Sequence, residues 1–145
     1  MRTAALTILV LSATAGRLAA SSTVQHPILF VTQAPFGSDF TTVNSVFGNH
    51  QGNTGAGPRG GDLWIRYPDG ALRNLTAAAG YGVTAGQEIS VREPSVHWTG
   101  AKALFSMVIG GTTQNDYSPV YWQIYEITGF EEGGTVHVTH LAQPR

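Results

Sequence analysis

Apolar and polar positions along this chain recur in short units. Beyond residue 22 no stretch of useful length carries apolar side chains at the 3.6-residue helical period; the units are 4 to 8 residues, rich in β-branched and aromatic side chains and cut by Gly, Pro and Asp. Residues 27–32 are a continuous apolar run, and residues 62–67 alternate, which puts Leu63, Ile65 and Tyr67 on one face of a strand. Pro68-Asp69-Gly70 then supplies a fixed φ, a side-chain acceptor and a residue free to take positive φ. Residues 72–76 are therefore expected to return as the partner strand of a hairpin. After a loop rich in Ala and Gly, the runs 95–98, 103–109, 121–127 and 135–141, the first two joined by a Thr99-Gly100 turn, are expected to form a four-stranded meander.

The two halves repeat. Asp62-Leu63-Trp64 matches Gln123-Ile124-Tyr125 at an offset of 61, and Leu75-Thr76 matches Val138-Thr139 at an offset of 63. Ile28-Leu29-Phe30 matches Ala103-Leu104-Phe105 at an offset of 75, because the first unit carries a long insertion over residues 34–61. Four short strands per unit with an aromatic in the third is the signature of a propeller blade. The expected fold is thus all-β: about two four-stranded antiparallel blades of a β-propeller, one over about residues 27–76 and one over about 93–141. A plain β-sandwich or meander is the rival. A closed ring needs typically 4 to 8 blades, and stacked units hide their apolar faces only against neighbours. Two blades therefore read as an N-terminal fragment of a longer propeller, with assembly of several copies into one ring as the alternative.

The segment Glu93-Pro94-Ser95-Val96-His97-Trp98-Thr99-Gly100-Ala101-Lys102-Ala103-Leu104-Phe105-Ser106 resembles the blade motif of TolB-like, WD-type propellers, with Thr99-Gly100 in place of a longer Ser-Pro-Asp-Gly turn. Asp62-Leu63-Trp64-Ile65, Pro68-Asp69-Gly70 and Arg73-Asn74-Leu75-Thr76 resemble the strand pair that follows. The stretch from Ile28-Leu29-Phe30-Val31-Thr32-Gln33 to Arg92-Glu93-Pro94-Ser95-Val96-His97-Trp98 is similar to exported bacterial proteins related to the middle domain of the hydrazine synthase alpha subunit. That resemblance implies a propeller fold and a periplasmic or secreted location. The chemistry of hydrazine synthase belongs to c-type haems at Cys-x-x-Cys-His motifs, and this chain has no such motif, so the resemblance implies no catalytic residue here.

The N-terminus and the charge balance agree with export. Met1-Arg2 precedes the uncharged run 3–16, whose apolar centre is too short to span a bilayer, and Leu18-Ala19-Ala20-Ser21-Ser22 supplies the small residues of a cleavage site. Residues 1–22 are expected to be a signal peptide and residues 23–145 the mature chain, with no membrane span left after cleavage. The whole chain carries 8 basic and 9 acidic side chains, and without Arg2 and Arg17 the balance is 6 to 9, a net charge of -3. Such a chain lacks the basic stripe of a nucleic-acid binder. Having no cysteine, it forms no disulfide and holds no thiolate zinc or iron-sulfur site.

Candidate chemistry is sparse. Gly55-Ala56-Gly57-Pro58-Arg59-Gly60 matches a dinucleotide-binding fingerprint, but a strand rather than a helix follows it. His137 and His140 lie three apart in an expected strand and point to opposite faces, and His26, His50 and His97 are scattered. Asp62, Glu93, Asp116, Glu126 and Glu131-Glu132 form no recognisable acid-base pair, and Asp62 and Glu93 sit beside Arg59 and Arg92 as strand-end groups. Asn74-Leu75-Thr76 is a glycosylation sequon inside an expected strand. The long insertion remains: Asp39, Phe40, Asn44, Asn49, His50 and Arg59 are the expected ligand or partner surface, since long loops in compact domains are usually functional or disordered and its phenylalanines argue against disorder. The expected function is that of a binding or scaffold module without catalysis or cofactor of its own, docking a protein partner or further blades. The alternative is the N-terminal part of a periplasmic haem oxidoreductase, with the chemistry outside this chain.

Overall fold

Alternation decides the first sheet. In the computed structural model, which describes residues 24–34, 59–111 and 120–142, strand β2 (Leu63–Arg66) buries Leu63 and Ile65 and turns Trp64 and Arg66 outward. It lies between β1 (Ile28–Val31) and β3 (Leu72–Asn74), antiparallel to both. The Pro68-Asp69-Gly70 turn forms as expected: Tyr67 N–H donates to Ala71 O at 2.9 Å, Asp69 Oδ1 accepts from Ala71 N at 2.8 Å, and Gly70 takes φ +90°.

The returning strand is shorter than the expected 72–76. Asn74 ends it and caps a four-residue helix, α1 (Leu75–Ala78), accepting at Oδ1 from Ala77 N at 2.9 Å. Thr76 is fully buried there, and its hydroxyl accepts from Leu63 N–H at 3.2 Å while lying 2.6 Å from Asp62 Oδ1. Tertiary hydrogen bonds override the β preference of a branched side chain.

The second sheet is the expected four-stranded meander, in the order β4 (Ile89–Val96), β5 (Lys102–Ile109), β6 (Gln123–Thr128) and β7 (His137–His140). Its first strand begins at Ile89, well before the expected residue 95. The register shifts between Arg92 and Ser95, where Glu93 takes φ 54° and Pro94 follows. The ladder tolerates a proline at such a bulge because its missing N–H is not needed for pairing.

The chain is thus all-β in its sheets, with two antiparallel sheets among the described residues, neither closed on itself: the second has the expected four strands, the first three where four were expected, because the chain turns into α1 after Asn74. Their facing sides make one core in which Leu63, Ile65, Tyr67 and Leu75 of the first unit meet Val91, Phe105, Met107, Tyr125 and Ile127 of the second. Tyr67 Oη donates to Phe130 O at 2.9 Å, tying the first hairpin to the loop after β6.

Two of the three repeat matches are also matched by strand register, and the third is not: Leu75-Thr76 lie in α1 while Val138-Thr139 lie in β7, and Asn74 pairs with Trp64 where His140 pairs with Tyr125. Phe30 pairs with Trp64 as Phe105 pairs with Tyr125, and Leu29 pairs with Ile65 as Leu104 pairs with Glu126. Among the described residues, no helix is long and apolar enough to cross a membrane. The expected signal peptide, residues 1–22, lies outside the described residues.

Candidate functional site

The site grows from the turn between β4 and β5. His97 N–H donates to Lys102 O and Gly100 N–H donates to His97 O, both at 2.8 Å, and Gly100 takes φ +74°. Thr99 locks the tip: its hydroxyl lies 2.8 Å from His97 Nδ1, and its own N–H reaches the same nitrogen at 3.3 Å. The backbone of this turn is fixed by these bonds, yet Trp98 at its apex is 89% exposed. Water-exposed indole forgoes a large hydrophobic gain, about 25 cal/mol for each Å² left wet.

Two grooves flank Trp98. One, of about 380 Å³, runs over Val96, Ala103 and Leu104 and is edged by Lys102 and Glu126, whose Nζ and Oε2 pair at 2.8 Å. The other, of about 520 Å³, opens between the sheets over Pro27, Leu29, Ile65 and Phe130 and is edged by His26 and Glu131. The His97 ring sits 5.1 Å from the Trp98 ring in a tilted pair. The arrangement offers an aromatic face, two apolar troughs and one donor-acceptor pair, which suits binding of a partly apolar surface. Among the described residues no group of three or more His, Asp or Glu side chains is placed to hold a metal ion.

Most of the expected loop surface, Asp39, Phe40, Asn44, Asn49 and His50, lies outside the described residues, as do Asp116 and most of the glycine fingerprint. Arg59 is described, and its Nε donates to Gly110 O at 2.6 Å, clamping the segment before β2 to the loop after β5. Trp98 stands near the opposite end of β5, an eight-residue strand about 25 Å long, so Arg59 and Trp98 do not share a site.

The carboxylates are dispersed. Asp62 accepts from Thr76, Glu126 pairs with Lys102, and Glu93 Oε2 is 3.9 Å from Arg92 Nε. The Arg92 guanidinium lies 3.9 Å over the Trp122 ring, and burial lowers its pKa from the ordinary value. Backbone amides at Glu88 and Gly86 hold the Glu88 carboxyl below the usual range. Burial, with Tyr81 beside it, raises the Tyr125 phenol. His137 and His140 sit at opposite faces of β7, and His140 Nε2 is 3.1 Å from Gln123 Oε1. Trp98 is what sequence reasoning missed: the sequence puts it in a strand over 95–98, whereas β4 ends at Val96 and Trp98 lies in the turn, where alternation assigns no face.

No family model matches the chain, and comparison with curated proteins and with solved structures finds no match.

Proposed function

We propose that this chain is an exported binding module built from two β-propeller-type blades, with no catalysis of its own, and that it docks a protein partner on Trp98. The observation that carries the docking is the 89% exposure of Trp98 on a turn whose backbone is fixed by its own hydrogen bonds. A turn whose backbone is already fixed loses little backbone freedom on binding, and tryptophans are prominent among residues that dominate interface energies. The two grooves accept apolar side chains of the partner, and Lys102 with Glu126 offers polar contacts at the rim. The blade reading is supported by two of the three repeat matches, whose residues on β1 and β2 occupy ladder positions equivalent to those on β5 and β6.

The test is affinity capture from cell-envelope extract with the full chain and two variants. Trp98→Ala removes the indole, and Leu72→Ala removes a side chain of comparable apolar character that is 58% exposed on β3. A partner retained by the parent and by Leu72→Ala should bind Trp98→Ala at least about thirtyfold more weakly, the loss typical of an interface anchor. Equal retention by both variants, or a partner lost only with Leu72→Ala, refutes the assignment of Trp98.

A further inference from the structure

The repeat and the ladders together reveal how the two sheets are stacked. In the first sheet the core-facing residues are Leu29, Val31, Leu63 and Ile65, whose repeat counterparts in the second sheet are Leu104, Ser106, Ile124 and Glu126. Those four face away from the core: Leu104 is 42% and Ile124 39% exposed. Conversely, the second sheet's core-facing Ala103, Phe105, Tyr125 and Ile127 correspond to Ile28, Phe30, Trp64 and Arg66, which face away from the core in the first sheet. The same side of the repeat therefore faces the core in one sheet and away from it in the other. The sheets stack front to back.

Front-to-back stacking leaves two free faces of complementary kind, whereas front-to-front packing would consume both like faces at once. The free face of the second sheet is equivalent to the buried face of the first, and the free face of the first is equivalent to the buried face of the second. Of the three positions that differ in character between buried and free faces, one exchanges Val31 for Ser106 and the other two carry opposite charges. Arg66 stands where the core has Ile127, and Glu126 stands where the core has Ile65. The Arg66 side chain makes no hydrogen bond or ion pair with another described residue, and Glu126 Oε2 is paired with Lys102 Nζ at 2.8 Å on its own face.

We propose that these faces stack on each other between two copies of this chain, the first sheet of one copy covering the second sheet of the next, with Arg66 meeting Glu126 across the contact. The occupant is a second copy because the contact continues the internal interface, and Arg66 would join the Lys102–Glu126 pair through the second carboxylate oxygen. A contact of this kind is heterologous, so it closes into a ring or runs on as a filament. The proposal rests on the two-blade reading above; its second-sheet face shares Lys102, Leu104 and Glu126 with the groove beside Trp98, so a second copy and a partner held on that groove compete for it.

The chain has no cysteine, so introduced thiols report contacts without background. Arg66→Cys and Glu126→Cys are made separately in the full chain and mildly oxidised, each alone and as a mixture. Head-to-tail stacking predicts a covalent dimer in the mixture at least about tenfold more abundant than in either variant alone. Sedimentation velocity supplies the second readout: Arg66→Glu and Glu126→Arg should each weaken self-association at least about tenfold, because they oppose like charges, and the double exchange should restore it. Cross-linking of Glu126→Cys with itself means a symmetric dimer and overturns the proposal. A chain that melts cooperatively but sediments as a monomer at every concentration also overturns it, by leaving the faces to another partner, while the two-blade reading stands. Loss of any cooperative melt overturns both.

Discussion

At the scale of single residues, Thr76 carries more of the fold than its small side chain suggests. It is fully buried, its hydroxyl accepts from Leu63 N–H, and it donates to Asp62 Oδ1 at 2.6 Å, so one oxygen joins α1 to the start of β2. Thr76→Val keeps the shape and removes both bonds, leaving a backbone donor and a carboxylate short of a partner. Leaving such groups unsatisfied costs about 1 to 3 kcal/mol, read as a lower urea midpoint with an unchanged slope. An unchanged midpoint would mean that water replaces the hydroxyl. The same burial removes Thr76 from the surface that recognition of the Asn74 sequon would need. None of this was legible in the sequence, where Leu75 and Thr76 read as the end of a strand; the cap at Asn74 and the distant Asp62 decide otherwise. Arg59 shows the same limit. Its position beside the strand was readable, but the carbonyl of Gly110, 51 residues on, is its partner.

At the scale of elements, the strands most legible were those whose alternation matched a one-sided burial, namely β2 and most of β5 and β6. The start of β4 was hidden because Pro94 interrupts the run and a glycine-rich loop precedes it, although Ile89 and Val91 point into the core. The bulge resolves this, since Glu93 and Pro94 are the residues the ladder skips. Turns can be ranked in the same way by what surrounds them. Gly129 takes φ +68° at the exit of β6, and a Cβ there would run into the carbonyl oxygen of Thr135. Gly100 takes φ +74° in the Trp98 turn, and a Cβ there meets nothing within 4 Å. Gly100→Ala therefore pays backbone strain alone, about 1 kcal/mol, whereas Gly129→Ala adds a collision and should cost at least about 2 kcal/mol more. Thermal midpoints of the two variants measure the difference, and equal midpoints would show that the loop after β6 yields freely.

For the molecule as a whole, the question is whether two sheets with open edges behave as one unit or two. The core says one: Ile65 of the first sheet packs in the same cluster as Phe105 and Ile127 of the second, and the Tyr67 hydroxyl bridges to Phe130 O. Ile65→Ala removes three buried carbons, which costs about 2 to 4 kcal/mol when a core side chain is cut back to alanine. If the sheets unfold together, that loss must appear in the slowest-exchanging amides of both. Hydrogen exchange in β6, a strand that makes no ladder contact with β2, should then accelerate by between about thirtyfold and a thousandfold, in step with the amides of β2 itself. If β2 accelerates and β6 does not, the sheets are separate cooperative units and the four-stranded meander is the stable one. The exposed apolar side chains decide which outcome physics favours. Ile28, Leu104 and Ile124 lie on outer faces that the shared core does not cover, so the core supplies most of the burial available and each sheet alone would expose a second wet face. Cooperative loss across both sheets is the outcome that follows, because parting the sheets would add a second wet apolar face to each.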